Sequence, residues 1–426
     1  MSKEIVVFIE KINKYLNANN QFVYYLLLDF PVINSNEEIF YELIERQKNE
    51  ANSMLEVKNV TFKKGGIPRE GHYYNMPTIF IENNNWTTDS DDGEILSSYM
   101  ALTYNASDIT PRFESALNYT TYSQDSSTGN SINITSYINN NVNSNNIEVS
   151  VYDVGQGNWN EILFNEELLI VYDLGASSSQ IFNNTYNRIV TAQNRTVKIN
   201  SLNANYSFSK ILIISHWDID HYNGIFELSD AVISSFEFCI VPKRMENDTM
   251  RRAFDKLKRN TTVCAIEMNP KGRGAGATSV LTEICTTNVL KIYKGTNCSD
   301  RNKRGLLLSL HANNTDYIFP ADHHYNQINN FIIPNCNNNE LNIVVPHHGG
   351  HANYLGLISH WRNCNHSIIS SGNKYGHPFP HVERAFSTQF HSLHRTDTST
   401  CHNCNNPSHA SVPPSGCTDS DYFRTI

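Results

Sequence analysis

Charge is scarce in this chain of 426 residues. Asp, Glu, Lys and Arg together make up 18% of it, below the quarter usual in globular proteins. Asparagine fills the gap, with 57 copies and runs at Asn83-Asn85, Asn139-Asn141 and Asn337-Asn339. Asn tolerates turn geometry, so we read this bias as loop filling and not as a functional signal. The formal charge of -9 excludes a uniformly basic nucleic-acid coat but leaves room for a local basic groove. Long apolar runs are also missing. The longest, Phe22 to Leu28, is far too short to cross a bilayer, so we expect no membrane insertion. The first residues, MSKEIVVFIEKINKYL, interrupt their apolar run with charges and lack the form of a secretory signal. The nine cysteines are odd in number and scattered, and we expect them reduced, in the cytoplasm. What is present is a hydrophobic content of 39%, enough for a sizeable core, which excludes wholesale disorder.

Composition divides the chain into three regions. Residues 1–146 form an N-terminal extension. In it Lys3 to Leu16 places Ile5, Phe8, Ile9, Ile12 and Leu16 at helical spacing, and Asn36 to Leu55 predicts a second helix. Residues 122–146 have linker composition. Residues 147–385 carry short β-rich runs at 148–154, 168–174, 210–214, 236–241, 306–310, 317–319, 342–345 and 366–370, with a helix over Met245 to Arg259. That mixture predicts α/β layering. Residues 386–426 are a short tail rich in Cys and His.

Polar clusters follow several of these runs. The densest is Ser215-His216-Trp217-Asp218-Ile219-Asp220-His221, four possible metal ligands within six residues, after an apolar strand and before Gly224. Imidazole and carboxylate groups alternating on a tight loop can converge on two adjacent cations. Asp322 follows the run ending Phe319-Pro320-Ala321, His347 and His348 follow Val345-Pro346, and His377 follows the run ending at Ser370. Asp173 ends a further apolar run. Each is weak alone, and His323, His324 and His351 read as solvent-facing. Their repeated position at strand ends is where a rigid scaffold presents chemistry.

These motifs resemble the metallo-β-lactamase fold, and most of all the hydrolase domain of the ComEC-type competence DNA-uptake proteins. Asp153-Val154-Gly155-Gln156-Gly157-Asn158 resembles that group's DVGQGD turn, with Asn158 departing from the usual Asp. Asp173-Leu174-Gly175 resembles its D-x-G turn. His216-x-Asp218-x-Asp220-His221 resembles its HxHxDH loop, with Asp218 in place of the second His. Pro320-Ala321-Asp322, His347-His348-Gly349 and Tyr375-Gly376-His377-Pro378 resemble the TGD, HHGS and YGHP turns. The family's ordinary His before the bridging Asp is not evident, and Asn302 falls in that zone. The resemblance covers about 147–385. It implies an αβ/βα sandwich holding two divalent metal ions, Zn2+ or Mn2+, with oxygen-rich ligation raising Mn2+. It implies that His216, Asp218 and one of His347 and His348 hold one ion, that Asp220 and His221 hold the other, and that Asp322 bridges. Asp173 would orient a ligand His. His377 would be a ligand or would assist the leaving oxygen.

Two further patterns bear on partners. Arg252, Lys256 and Arg259 share a helical face that could track nucleic-acid phosphates, flanked by Lys243, Arg244, Lys271 and Arg273, with a second cluster at Arg301, Lys303 and Arg304. In the tail, Cys401, Cys404, His409 and Cys417 have the spacing C-x2-C-x4-H-x7-C, similar to a zinc knuckle with its last gap stretched, able to hold a structural Zn2+. The remaining cysteines lack ligand spacing and read as small buried hydrophobes. The combined expectation is a cytoplasmic two-metal phosphodiesterase, a DNA or RNA nuclease acting as a standalone effector. Residues 1–146 would recognise a protein partner or the substrate. Hydrolysis of a small phosphodiester, ester or lactone is the alternative within the fold. A non-catalytic metal-binding interaction module is the alternative outside it.

Overall fold

The computed structural model describes residues 4–16, 22–29, 54–60, 67–77, 107–108, 135, 147–151, 157–164, 167–175, 210–270, 279–298, 300–312, 314–336, 340–353, 355–370 and 377–396. They fall in two compact units that do not follow chain order. One is drawn from Met1–Asp125, Ser179–Tyr186 and Arg244–Asp255, the other from Ser126–Ser178, Asn187–Lys243 and Lys256–Ile426.

The first unit holds an antiparallel sheet of β1 (Glu4–Leu16), β2 (Phe22–Asp29), β3 (Met54–Val60), β4 (Tyr73–Pro77) and β5 (Ser107–Asp108), in the order β3-β2-β1-β4-β5. The helix expected over Lys3 to Leu16 is therefore a strand. Its β-branched residues (Ile5, Val6, Val7, Ile9, Ile12) favour a pleated surface. A register shift between Ile9 and Lys11 breaks the two-residue period, and this is how apolar positions came to lie at helical spacing. Of the second expected helix, residues 36–53 lie outside the described residues, and Met54 and Leu55 begin β3. Residues of the segment 244–255 complete this unit. Asn247 donates to Glu10 (2.9 Å), Thr249 donates to Asp29 (3.0 Å), and Tyr73 donates to the Glu246 carbonyl (2.6 Å).

The second unit is built on two mixed sheets. The first runs β11-β10-β9-β8-β7-β6 and comprises β6 (Ile147–Val151), β7 (Trp159–Phe164), β8 (Glu167–Leu174), β9 (Lys210–Ile213), β10 (Phe236–Pro242) and β11 (Thr262–Ile266). The second runs in sequence order through β12 (Thr282–Thr286), β13 (Leu290–Lys294), β14 (Leu306–Ala312), β15 (Thr315–Phe319), β16 (Glu340–Val344), β17 (Cys364–Ile369) and β18 (Ser392–Arg395). In both, antiparallel strands on one side give way to parallel strands on the other: β8 to β11 in the first, β15 to β18 in the second. One hydrophobic core joins the sheets face to face, from Val149, Ile162, Tyr172, Ile211 and Ile213 to Ile292, Leu308, Phe319 and Val344. A second core lies under the helices Tyr325–Gln327 and Pro380–Gln389, around Ile328, Ile343, Trp361 and Phe386. This is the layered α/β sandwich that the resemblance implies. Among the described residues, no helix is long and apolar enough to cross a membrane.

Candidate metal centre

The parallel strands of both sheets end where the polar clusters begin. Asp173 is the penultimate residue of β8, β9 runs into His216, β15 into Asp322, β16 into His347 and His348, and β17 into Ser370. Two groups of ligand atoms result, each within 4.8 Å: His216, His221 and Asp322, and Asp220, His221 and His348. All of these residues are buried. The Asp322 carboxylate lies 3.6 Å from His216 Nε2, 3.3 Å from His221 Nε2 and 3.7 Å from His347 Nε2. Asp220 lies 3.3 Å from His348 Nε2.

Tautomers follow from what holds each ring. Asp173 Oδ2 is 2.9 Å from His221 Nδ1. The Ser370 carbonyl is 2.8 Å from His348 Nδ1. Ser215 donates its hydroxyl to Asp173 (2.9 Å) and can then accept from His216 Nδ1 (3.0 Å). In all three rings Nδ1 is engaged, and Nε2 is the nitrogen that faces the cluster. The Nε2 atoms of His216, His221 and His348 and both Asp322 oxygens are buried with no hydrogen-bond partner. Orphaned polar atoms in such number are costly unless a cation sits among them. The donor set of imidazole nitrogens and carboxylates suits a divalent ion.

Without a cation, the carboxylates favour charged imidazoles, and a bound ion would take the place of the Nε2 protons. Burial and the neighbouring His221 oppose charge on His216, but Asp218 and Asp322 raise it above its ordinary value. Burial also opposes charge on His221, yet Asp322 and Asp173 hold it well above. Burial would raise Asp322, but His347 and His221 outweigh it and keep the carboxyl well below the usual range. The carboxylate is thus ionised.

The backbone is strained here. Asp173, Ala321, His347 and His348 have φ of 63°, 49°, 54° and 53°, a region non-glycine residues seldom occupy. Such strain gathers at functional sites. Close packing fixes the loops as well. A Cβ on Gly175 would lie 1.8 Å from the Asp220 carbonyl, and one on Gly224 would lie 2.5 Å from the Leu174 carbonyl.

The structure groups the candidate ligands differently from the sequence expectation. His348 joins Asp220 and His221, and His347 stands by Asp322. Asp218 keeps Oδ2 3.5 Å from His216, but its Oδ1 is paired with Arg301 at 2.8 Å. Arg301 also donates to the Trp217 carbonyl, so it braces the ligand loop instead of standing ready for phosphate. Asn302 Nδ2 is 3.4 Å from His347 Nδ1. Asn158 bonds the Asp220 carbonyl through its N–H and places its amide 3.4 Å from His221 Nδ1. The His377 ring is 5.3 Å from that of His347.

Some expectations change. His323 is fully buried and not solvent-facing, wedged beside Gly295 and Gly305, and His324 is half-buried; His351 is exposed. The expected helix forms over Asp248–Asn260, but Lys256 points its ammonium at the Phe226 and Leu228 carbonyls (3.0 and 2.7 Å), and Arg252 bonds Thr249. Of the three cations on that face, Arg259 alone is exposed. Cys239, Cys264 and Cys285 are buried, and Cys298, Cys336 and Cys364 partly so. Residues 152–156, Lys271, Arg273, Tyr375, Gly376 and the tail group Cys401, Cys404, His409 and Cys417 lie outside the described residues. Sequence reasoning missed Ser215, Ser370 and the bracing role of Arg301. Only Ser215, inside the ligand motif, carried a local signal.

No protein-family model and no curated protein matches the chain. Among solved structures it is similar to the metallo-β-lactamase fold protein YhfI from Bacillus subtilis, at 13% identity and TM-score 0.36, over 58% of this chain and 95% of that one. It is similar to a variant of the CmlA β-hydroxylase at 9% and 0.36, over 92% and 74%. A protein of unknown function from Enterococcus faecalis follows at 12% and 0.27, over 47% and 49%. These likenesses are distant, and the fold is read from the order and packing of the two sheets.

Proposed function

We propose that the chain is a metal-dependent hydrolase of phosphodiester bonds, with nucleic acid as its substrate. One observation carries the metal-dependent part of this reading, three histidines with engaged Nδ1 atoms that aim Nε2 at a buried, ionised Asp322 and at Asp220, and the sequence resemblance to the ComEC-type hydrolase domain supplies the phosphodiester. His216 and Asp322 would hold one divalent ion, with Asp218 Oδ2 beside them. Asp220, His221 and His348 would hold the other, with Asp322 shared. Divalent ions held there would lower the pKa of water and neutralise phosphoryl charge. The chain's own residues do the rest. Asp173 keeps a proton on His221 Nδ1, and the Ser370 carbonyl does so for His348. Burial excludes bulk water and strengthens every charge interaction in the group. The half-buried His347 and the buried His377, whose rings meet at 5.3 Å, would steady or protonate a leaving oxygen.

The test is Mn2+-supplemented cleavage of labelled single- and double-stranded DNA, RNA and bis-p-nitrophenyl phosphate, with Asp220→Asn as control. Polymer cleavage lost in the variant is the expected result. A small phosphodiester is the second reading, favoured by the inward use of Lys256 and Arg301; turnover of the diester alone would select it. Metal uptake with no turnover of any substrate would favour the interaction-module reading.

A further inference from the structure

Aromatic contacts continue outward from the ligand cluster. His377 meets His347 edge-on at 5.3 Å, and Phe379 meets His377 at 5.0 Å and 76°. His381 lies nearly parallel to Phe379, at 14° and 5.7 Å, and His351 is 6.2 Å from His381. Burial falls along this series. His377 is buried, Phe379 half-buried, and His381 and His351 are exposed. The mount is rigid. The Phe379 N–H bonds the Gly349 carbonyl at 3.0 Å, and Phe379 caps the helix Pro380–Gln389. The His377 ring occupies the space a Cβ on Gly350 would need, 2.5 Å from its Cε1. That helix meets its packing needs with Val382 and Phe386, so nothing in the core requires a ring at position 381.

We propose that these rings form a stacking shelf for a base, so that the substrate presents an unstacked base beside its scissile phosphate. The class is single-stranded nucleic acid. The inference rests on the hydrolase reading above. Stacking on protein rings tolerates any base, because every base has a π face, and it demands that the base leave its own stack. A duplex base is already stacked on both sides and gains nothing from the shelf. The ring itself is the recognition element.

The test is binding to metal-free protein, where no cleavage interferes, read by the fluorescence of an oligonucleotide containing 2-aminopurine. His381 and His351 are exposed, so their substitution leaves the fold intact. His381→Ala is expected to weaken single-strand binding about tenfold. His381→Phe should restore it and His381→Lys should not, while an abasic site opposite the shelf should weaken wild-type binding equally. Unchanged binding by His381→Ala, rescue by Lys as good as by Phe, or equal affinity for duplex would each overturn the proposal. Ring-dependent binding without hydrolysis of any substrate would uphold the shelf and remove the hydrolase reading. Turnover of bis-p-nitrophenyl phosphate without ring-dependent binding would do the reverse.

Discussion

Replacing Asp173 by Asn isolates the orientation of a single candidate ligand, His221. Asp173 is fully buried and accepts three hydrogen bonds: from the Ser215 N–H (2.6 Å), the Ser215 hydroxyl (2.9 Å) and His221 Nδ1 (2.9 Å). Its φ of 63° is one that Asn adopts readily, so the backbone has no reason to move. The Asn carbonyl oxygen can still serve the Ser215 N–H. Its NH2 then faces His221 Nδ1, which must become an acceptor, and the ring proton moves to Nε2. That is the atom the cation needs. Loss of such an orienting carboxylate typically costs about 10–100-fold in metal affinity, or ~1.4–2.7 kcal/mol. Isothermal titration of the metal-free protein with Mn2+ and with Zn2+ measures it, and urea unfolding of the same samples shows whether the fold survives. A folded Asp173→Asn protein with wild-type affinity for both ions would refute the tautomer argument and, with it, the assignment of His221 Nε2 as a ligand.

Other outcomes follow from the same geometry. Gly175→Ala must displace the Asp220 carbonyl from 1.8 Å, so we expect a loss of about 3 kcal/mol or more in urea unfolding and no measurable metal uptake. Arg301→Gln removes the guanidinium from the buried Asp218 carboxylate, costing about 3 kcal/mol in the metal-free protein, and added Mn2+ should recover part of that; equal losses with and without metal would argue against a bound metal ion near Asp218. His323 is pushed down to about 4 by burial, so the unfolded chain takes up its proton near the ordinary 6.5 while the folded chain does not. Its contribution is present above pH 6.5 and is lost as pH falls towards 4, about 3 kcal/mol in all. His323→Leu should flatten that part of the pH–stability curve, as read from urea midpoints at pH 7 and 5.

Much of the second unit was legible because its strands are short apolar runs and its candidate ligands sit where those runs stop. β8, β9, β14, β15, β16 and β17 announced themselves in this way, and so did His216, Asp220, His221 and Asp322. β7, β11, β12, β13 and β18 did not. Polar residues such as Asn160, Glu161 and Thr282 dilute their apolar pattern, and cross-strand pairing decides them. β1 misled for the opposite reason, its bulge imitating a helical period. The division of His347 from His348 could not be read either, since two adjacent residues at φ near 54° turn their rings apart in a way no spacing rule encodes. Nor could the pairing of Arg301 with Asp218, which are far apart in the chain and meet only when β9 and β14 are brought together.

The three-segment make-up of the first unit bears on how this protein can be dissected. A cut in the linker before Ile147 looks harmless on paper, yet it would strip the segment 244–255 of Glu10, Asp29 and Tyr73, the groups that satisfy Asn247, Thr249 and the Glu246 carbonyl. Met250, Ala253 and Phe254, now buried, belong to the same segment. A shortened protein would carry that adhesive surface in the middle of its own chain, and aggregation of the fragment would then say nothing about whether its metal loops can fold. Activity assays are better built on the full chain, with single substitutions in place of truncation.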